Sequence, residues 1–287
     1  MASEIGLNFE GIDSKPSGKA LRLKPVRIGL WDEYGGSRTS GWTRWLLEQF
    51  EFPFEVVYPE ALDAGSLVSK FDVLIFETGA ISPELDRAGN VQRRAEQPDP
   101  QSIPAKYRDR LGFISVDKTV PQLRRFVQDG GTILAIGSST NLAYHLGLPV
   151  ANALIDKKTR KALPMEKYWA PGSVHQVLVD NSNPLAYGLP EKLDVYFNKN
   201  PVFQTQPRSA GKGVRSVAWF GKGNSLRSGW MLGPQYHEGG MTVVDADVRK
   251  GKLFLITPLI TFRGQPHGSF KFLFNGVYYG GAETVNL

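Results

Sequence analysis

A run of hydroxyl residues follows a short apolar segment that ends at Ile136, and a helical pattern begins at Leu142. A strand, a sharp turn and a helix in succession expose a nucleophile at the sheet edge of many α/β hydrolases. Ser138 is therefore a candidate catalytic nucleophile, because the N-terminus of the next helix would stabilise an oxyanion. The alternative is that Ser138, Ser139 or Thr140 caps that helix, since serine and threonine are preferred N-caps.

Acidic and polar side chains follow two other strand-like segments. Asp32, Glu33, Tyr34 and Ser37 come after the first, and Glu77 comes after the third. Ligands of open α/β sheets bind outside the carboxyl ends of the strands, so these side chains could line one crevice together with the serine turn. A carboxyl pair of Asp32 or Glu33 with Glu77 would suit glycoside hydrolysis. The alternative is that they are solvated loop acids.

Cysteine is absent, which excludes disulfides, thiolate metal ligands and a cysteine nucleophile. Four histidines occur, at His145, His175, His237 and His267. None of them stands in the His-x-x-Glu, His-Glu-x-x-His or His-x-His spacing of a local zinc motif. We predict no metal site and no cofactor.

Charge and hydropathy argue against two kinds of partner. The net charge is +6, but the basic residues are scattered and form no stripe with aromatic residues, so we predict no binding to nucleic acid. No apolar run approaches the roughly 20 residues of a membrane-spanning helix, so we predict no membrane span. The polar first 24 residues show no signal peptide, although a parent protein could carry one upstream. The compartment and the oligomeric state stay open.

Strand-like and helical segments alternate in the first half of the chain. Buried strands are predicted near residues 26–31, 54–58, 71–76 and 132–136, and helices near 41–50, 61–70, 120–129 and 142–146. Residues 82–117 are polar and contain several prolines, which indicates a long excursion that is partly helical. After Pro149 the strands become consecutive, near residues 174–179, 195–197, 216–220, 241–245 and 251–257, and a helix near 269–279 closes the chain.

This order predicts an α/β fold of the flavodoxin-like type, a three-layer α/β/α sandwich. Alternating elements give a mostly parallel sheet with right-handed crossovers, and the consecutive strands give an antiparallel extension. We expect residues 1–24 to be a linker or edge segment and residues 25–287 to form a single domain. With 41% hydrophobic residues in 287, the chain can bury a sizeable core.

Three stretches carry a resemblance to a known family. They are residues 27–53, with the block Gly-Trp-Thr-Arg-Trp-Leu-Leu-Glu-Gln, residues 123–136, with Gly-Gly-Thr-Ile-Leu, and residues 262–275. Together they resemble the C-terminal region of bacterial zinc carboxypeptidase-family proteins, which follows the peptidase domain and is similar to class I glutamine amidotransferases. The resemblance implies a class I glutamine amidotransferase-like fold. Members of the resembled family are often periplasmic or secreted.

The departures from that family bear on function. The zinc motif of the peptidase is absent, so the chain is not the carboxypeptidase itself. Amidotransferases place a cysteine on the strand–turn–helix elbow and a His-x-Glu pair after a late strand. Here the elbow reads Gly137-Ser138-Ser139, and His267 has no glutamate two residues on. The amidotransferase triad therefore cannot be transferred to this chain.

The resemblance implies a non-catalytic amidotransferase-like domain that binds a small molecule, a glycan or the peptidase domain of a parent protein. His267 is the candidate base, because its loop corresponds to that of the amidotransferase histidine. Arg263 and Gln265 are candidate ligand contacts, since arginine can hold a carboxylate through two parallel hydrogen bonds. Ser139 is a further ligand candidate. The alternative function is a stand-alone esterase or glycosidase that uses Ser138 with His267, or the acids Asp32, Glu33 and Glu77.

Overall fold

One large β-sheet with helices on both faces dominates the computed structural model, which describes residues 6, 8, 10–83, 96–159, 161–205 and 213–287. The strands are β1 Lys19–Arg22, β2 Ile28–Trp31, β3 Phe54–Val57, β4 Val73–Phe76, β5 Thr132–Ile136, β6 Val150–Asn152, β7 Ser173–Val179, β8 Lys192–Phe197, β9 Phe203–Thr205, β10 Val214–Phe220, β11 Leu226–Ser228, β12 Met241–Val248, β13 Gly251–Ile256 and β14 Glu283–Asn286. The helices are α1 Arg38–Gln49, α2 Pro59–Asp63, α3 Leu67–Lys70, α4 Thr119–Gln128, α5 Leu142–His145 and α6 Phe270–Tyr279.

The sheet joins a parallel half to an antiparallel half. β13, β5, β4, β2 and β3 lie side by side in this order and run parallel. β12 pairs antiparallel with β13, and β10, β7 and β8 continue the sheet antiparallel beyond it. The predicted mostly parallel sheet with an antiparallel extension is confirmed.

Alternating apolar residues bury both faces of the parallel strands. Val73 and Ile75 of β4 point to the core that contains Leu47 of α1 and Phe272 of α6, whereas Leu74 faces the core beneath α4. Side chains of a strand point to opposite faces in turn, so a strand covered on both faces must be apolar throughout. The result is the three-layer α/β/α sandwich that the sequence predicts.

Several elements differ from their predicted bounds. The single helix expected over residues 61–70 is broken into α2 and α3, because Ser66 takes a left-handed backbone conformation between them (φ 54°). α5 is one turn, and β6, β9, β11 and β14 were not predicted. Within the expected excursion, Pro100–Ser102 and Ala105–Arg110 are 3₁₀ helices, while residues 84–95 lie outside the described residues.

The expected linker or edge segment over residues 1–24 contains β1, which pairs antiparallel with β14 in a separate two-stranded sheet. The amide of Leu287 also donates to the carbonyl of Gly18 at 2.9 Å. The two ends of the described chain are therefore bound to each other. No helix of the described residues is long and apolar enough to cross a membrane.

Candidate functional site

The candidate site lies where the parallel strands end. β2, β4, β5 and β13 are paired in register, so the loops that follow Trp31, Phe76, Ile136 and Ile256 meet along one side of the sheet. We call this region the carboxyl edge. It holds the serine turn and the acids that the sequence pointed to, and ligands of open α/β sheets bind at such an edge.

The bend at the end of β5 is made by Gly137, not by a serine. Its φ is 60°, a left-handed conformation that is strained for residues with a side chain. A Cβ atom built on Gly137 would lie 1.8 Å from Oγ1 of Thr78 and 2.8 Å from Cδ2 of Leu259. Side chains from two neighbouring loops therefore occupy the space that a residue exposed at the bend would need.

Ser138 and Ser139 fasten the turn to the loop after β4. The Oγ of Ser138 accepts a hydrogen bond from the amide of Gly79 at 2.9 Å. The Oγ of Ser139 donates to the carbonyl of Glu77 and accepts from the amide of Ile81 at 3.1 Å. Ser139 is fully buried and Ser138 is half-buried. Both hydroxyls hold backbone groups of the neighbouring loop.

The predicted capping alternative is not what the structure shows. Neither the 3₁₀ turn Gly137–Asn141 nor α5 begins with a side-chain cap hydrogen bond. The hydroxyl of Thr140 instead donates to the carbonyl of Gly137 at 2.7 Å. The turn is stabilised by its own hydroxyls and by the loop beside it.

Glu77 is the most deeply buried acid of the carboxyl edge, with 1% of its surface exposed. Its Oε1 accepts hydrogen bonds from the hydroxyls of Thr43 in α1 and of Thr261 after β13, the latter at 3.3 Å. Oε2 lies 3.4 Å from the amide of Thr78. Among the described residues, no lysine, arginine or histidine forms an ion pair with this carboxyl group.

Burial without a cation changes the protonation of Glu77. Removal from water raises the pKa of Glu77 to about 7, although the three hydrogen bonds partly oppose the rise. The carboxyl group is therefore largely protonated below neutral pH. Because it is enclosed by three loops and α1, it cannot contact a substrate in this conformation. The structure does not support the predicted direct catalytic role of Glu77.

Asp32 and Ser37 shape the loop that leads into α1. Oδ1 of Asp32 accepts from the amides of Glu33 at 2.9 Å and Ser37 at 2.6 Å. Ser37 is the N-cap of α1, and its Oγ accepts from the amide of Ser40 at 3.3 Å. Asp32 and Ser37, two of the predicted ligand contacts, therefore already accept hydrogen bonds from backbone amides.

Glu33 and Tyr34 of this loop are, like Asp32, partly open to solvent, and their side chains form no hydrogen bond within the described residues. Partial burial, and to a smaller extent the charge of Asp32, raises the pKa of Glu33 above its ordinary value. With Glu77 enclosed and Asp32 bound to backbone amides, the predicted acid pair for glycoside hydrolysis does not form across an open cleft. Glu33 is the acid that a ligand could reach.

Arg263, Gln265 and His267 lie in the loop between β13 and α6, and all three are exposed. Arg263 has a left-handed backbone conformation (φ 54°), which stores strain outside glycine. The ring of His267 lies 5.1 Å from the ring of Phe270. Within the described chain, no hydrogen bond joins His267 to Ser138, whose hydroxyl is bound to Gly79. The predicted nucleophile–base pair is not assembled.

The residues that directly follow β13 carry no titratable side chain. β13 ends at Ile256, and the next residues are Thr257, Pro258 and Leu259. Thr257 is buried, and the side chain of Leu259 packs at the Gly137 bend. His267 comes eleven residues after the strand, on the surface.

Sequence reasoning missed the threonines of the site. Thr43, Thr78 and Thr261 surround the carboxyl group of Glu77. One signal was present, since Thr43 shares the buried face of α1 with Leu46 and Leu47, where a polar residue needs a partner. Nothing local identifies Thr261 as that neighbour. Across the described ranges, no group of three or more acids and histidines is close enough to hold a metal ion.

Solved structures with this architecture include amidotransferase-related proteins. PurLQS from Thermotoga maritima matches with a TM-score of 0.52 and 13% identity over 88% of this chain and 97% of that chain. A protein from Thermoplasma acidophilum, described as part of a GMP synthase, matches with a TM-score of 0.50 and 13% identity over 88% of this chain and 93% of that chain. At this identity the likeness establishes the fold alone.

A ThuA-like protein from Parabacteroides merdae matches with a TM-score of 0.48 and 13% identity, over 90% of each chain. No protein-family model and no curated protein sequence matches this chain. The fold is that of class I glutamine amidotransferase-like proteins, with a mostly parallel central sheet, as the sequence predicts.

Proposed function

We propose that this chain is a non-catalytic domain of the glutamine amidotransferase-like fold, which acts by binding a ligand or a partner at the carboxyl edge. The observation that carries the proposal is the Gly137 bend, where Thr78 and Leu259 fill the space that an exposed nucleophile would need. The absence of cysteine from the whole chain agrees with it. The chemistry of amide transfer has no attacking group here.

Three positions support this proposal together. A glycine stands at the bend, a buried threonine directly follows β13, and a leucine stands two residues further on. Activated nucleophiles need hydroxyl, imidazole and carboxylate side chains in mutual hydrogen-bond reach, and of these three positions only Thr257 carries a polar side chain, a hydroxyl. The three positions therefore supply neither an imidazole nor a carboxylate.

The remaining exposed side chains of the carboxyl edge suit recognition. Glu33 and Tyr34 lie on one loop, and Arg263, Gln265 and His267 lie on another. An exposed arginine can hold a carboxylate through two hydrogen bonds, and a histidine beside it can add a third donor. We take the partner to be the peptidase domain of a zinc carboxypeptidase-family parent protein, with a small molecule or glycan as the other ligand class.

Hydrolysis assays test the non-catalytic part of the proposal. We expect the purified chain to release ammonia from glutamine, and nitrophenol from nitrophenyl acetate or nitrophenyl glycosides, no faster than Ser138→Ala or Glu77→Gln. Since no hydrogen bond joins Ser138 to His267 in the described part of the chain, the three proteins should give the same background rate. A wild-type rate that either substitution abolishes would instead establish the hydrolase alternative.

Binding measurements test the partner. We expect calorimetry to detect saturable binding between this chain and the peptidase domain encoded in the same natural reading frame, weakened by Arg263→Ala. Lys222→Ala is the matched control, because Lys222 is an exposed cation in a loop of the antiparallel half. The absence of a peptidase in that reading frame, or binding that Arg263→Ala leaves unchanged, would contradict this part of the proposal.

A further inference from the structure

A cavity of about 500 Å³ lies away from the carboxyl edge, between the two-stranded sheet of the chain ends and α6. Gly280, just after α6, packs against Thr132, the first residue of β5, whereas the carboxyl edge begins after the last residue of that strand. The cavity is therefore near the opposite rim of the sheet. Its size is within the range of small-molecule sites.

The walls of this cavity are held in place by specific bonds. Asn275 of α6 donates to the carbonyls of Leu185 at 3.2 Å and Tyr187 at 3.0 Å, which fixes the turn after β7 against the helix. The ammonium group of Lys271 donates to the carbonyl of Gly188 at 2.6 Å. On the other side, β1 is held by four paired residues of β14. The cavity is thus largely preformed, which lowers the entropic cost of binding.

Aromatic and aliphatic side chains form most of the lining. Tyr187, Tyr278 and Tyr279 line the cavity together with Leu21 of β1 and Leu23, which follows β1. Tyr187 and Leu23 are about half exposed, at 50% and 56%. Apolar and aromatic surface that stays exposed in a concave site is typical of ligand recognition.

The polar groups of the lining favour one class of ligand. The amide nitrogen of Asn275 already donates twice, and the hydroxyl of Tyr279 donates to Asp245 at 3.2 Å. A sugar would bring many hydroxyls that each need a partner, and unpaired polar groups are costly to bury. A flat apolar molecule avoids this cost.

Charge defines the other end of the ligand. Lys19 is the charged residue of the lining, and no acid lines the cavity within the described residues. Lys24 lies beside Gly281 nearby, and the one acid of β14, Glu283, is paired in register with Arg22. An anionic group near Lys19 would therefore meet a positive surface.

We propose that this cavity binds a planar apolar molecule that carries one carboxylate, stacked on Tyr187 and paired with Lys19. This site is independent of the proposed function at the carboxyl edge, so either can fail without the other. It lies beside the paired chain ends, and its occupancy would link β1 to α6. Ligand binding would therefore stabilise the docking of β1.

The test uses 2-naphthoate and the neutral 2-naphthamide as probes, with the full chain and calorimetric titration. We expect one saturable site for 2-naphthoate with Kd at or below about 1 mM. Tyr187→Ala should weaken both probes about fivefold or more, because the stacking face is lost. Lys19→Gln should weaken 2-naphthoate about threefold and leave 2-naphthamide unchanged.

Lys222→Gln is the matched control and should change the affinity for neither probe, since Lys222 is exposed and does not line the cavity. Thermal melting of each variant checks that it is folded. We expect both variants to fold, because Tyr187 and Lys19 are exposed. The proposal is overturned if wild type shows no saturation at about 1 mM, or if Tyr187→Ala and Lys19→Gln bind as wild type does.

Discussion

Two regions of this molecule bury ionisable groups without a counter-ion. Burial raises the pKa of an acid in one region and lowers the pKa of two histidines in the other. At the carboxyl edge, Glu77 is held by threonine hydroxyls and its pKa is raised to about 7 by burial. In the antiparallel half, His175 and His237 are fully buried, with ring centroids 5.0 Å apart. Both regions therefore favour the neutral form of their groups.

The histidine pair is also held by neutral hydrogen-bonding partners. The ring of His175 contacts Ser173 at 2.8 Å and Ser225 at 3.0 Å through its two nitrogens. His237 is bonded to the Tyr168 hydroxyl at 2.9 Å. Burial lowers the pKa of His175 to about 4, and burial together with His175 lowers the pKa of His237 to about 3.

Burial of a polar group does not by itself mark an active site. Perturbed pKa values cluster at functional sites, but structural networks perturb them too. Here Glu77, His175 and His237 are all closed off from solvent and hydrogen-bonded to neighbouring side chains. Their consequence is a pH dependence of folding, and its sign differs between the regions.

The largest expected effect concerns the histidines. Both have folded pKa values below the unfolded value of about 6.5, so the stability they provide is complete above that pH and is lost as pH falls toward 4. Between pH 7.5 and 5 the loss should be about 4 kcal/mol. In urea unfolding, the free energy of unfolding of the double variant His175→Gln/His237→Gln should fall by correspondingly less than that of wild type over this pH range.

His267→Gln is the control for this experiment, since His267 is an exposed histidine. Its stability should follow the wild-type pH profile. Parallel profiles for wild type and the double variant would show that the buried pair does not resist protonation, and the contrast between the two regions would disappear.

Gly137 gives the next largest effect. Gly137→Ala places a methyl group against Thr78 and Leu259 at a left-handed φ, so we expect a loss of about 3 kcal/mol in unfolding free energy. Gly36→Ala is the matched control, with φ 84° but no atom within 4 Å of the new Cβ, and should cost about 1 kcal/mol. Equal losses would mean that the bend is not closed by packing.

Glu77→Gln should have the opposite pH signature to the histidine variant. The folded pKa of Glu77 is raised, so the stability linked to its proton is present below about pH 4.5 and is lost as pH rises to about 7. The full difference is about 3 kcal/mol. The variant should therefore gain stability relative to wild type at pH 8 compared with pH 5, measured by urea unfolding.

Glu48→Gln serves as the control for Glu77, because Glu48 is an exposed acid paired with Arg44 in α1. It should shift stability little and equally at both pH values. If Glu77→Gln behaves in the same way, Glu77 is ionised in the folded protein and the two regions are not opposites.

The smallest effect separates the two serines. Ser139→Ala leaves the buried amide of Ile81 without its hydroxyl partner and should cost about 2 kcal/mol. Ser138→Ala removes an acceptor from the exposed amide of Gly79, which water can replace, and should cost less than about 1 kcal/mol. Thermal melting of both variants measures the difference, and a larger loss for Ser138→Ala would contradict the assigned roles.

The fold could be predicted from the sequence because the patterns that indicate its main strands and helices are local. Apolar strands such as Val73–Phe76 and the amphipathic α4 can be recognised one by one, and their alternation gives the parallel sheet. Short strands such as β14 were not predicted, because the strands they pair with are far away along the chain. Pairing of residues 19–22 with 283–286 leaves no local pattern.

The candidate site was predictable in place but not in detail. The order of strands placed Glu77 and the serine turn at one edge, as the structure shows. Which hydroxyl faces which group depends on tertiary packing, so the roles of Thr43 and Thr261 could not be read from spacing. The left-handed turn at Gly137 could not be predicted either, because glycine adopts many conformations and tertiary packing selects this one.

The β1–β14 pairing joins the beginning and the end of the described chain in space, with Gly18 bonded to Leu287. A short engineered linker could therefore connect these residues, and new ends could be opened in an exposed loop without moving the sheet. Anything fused before residue 18 and anything fused after residue 287 would leave the domain from the same side.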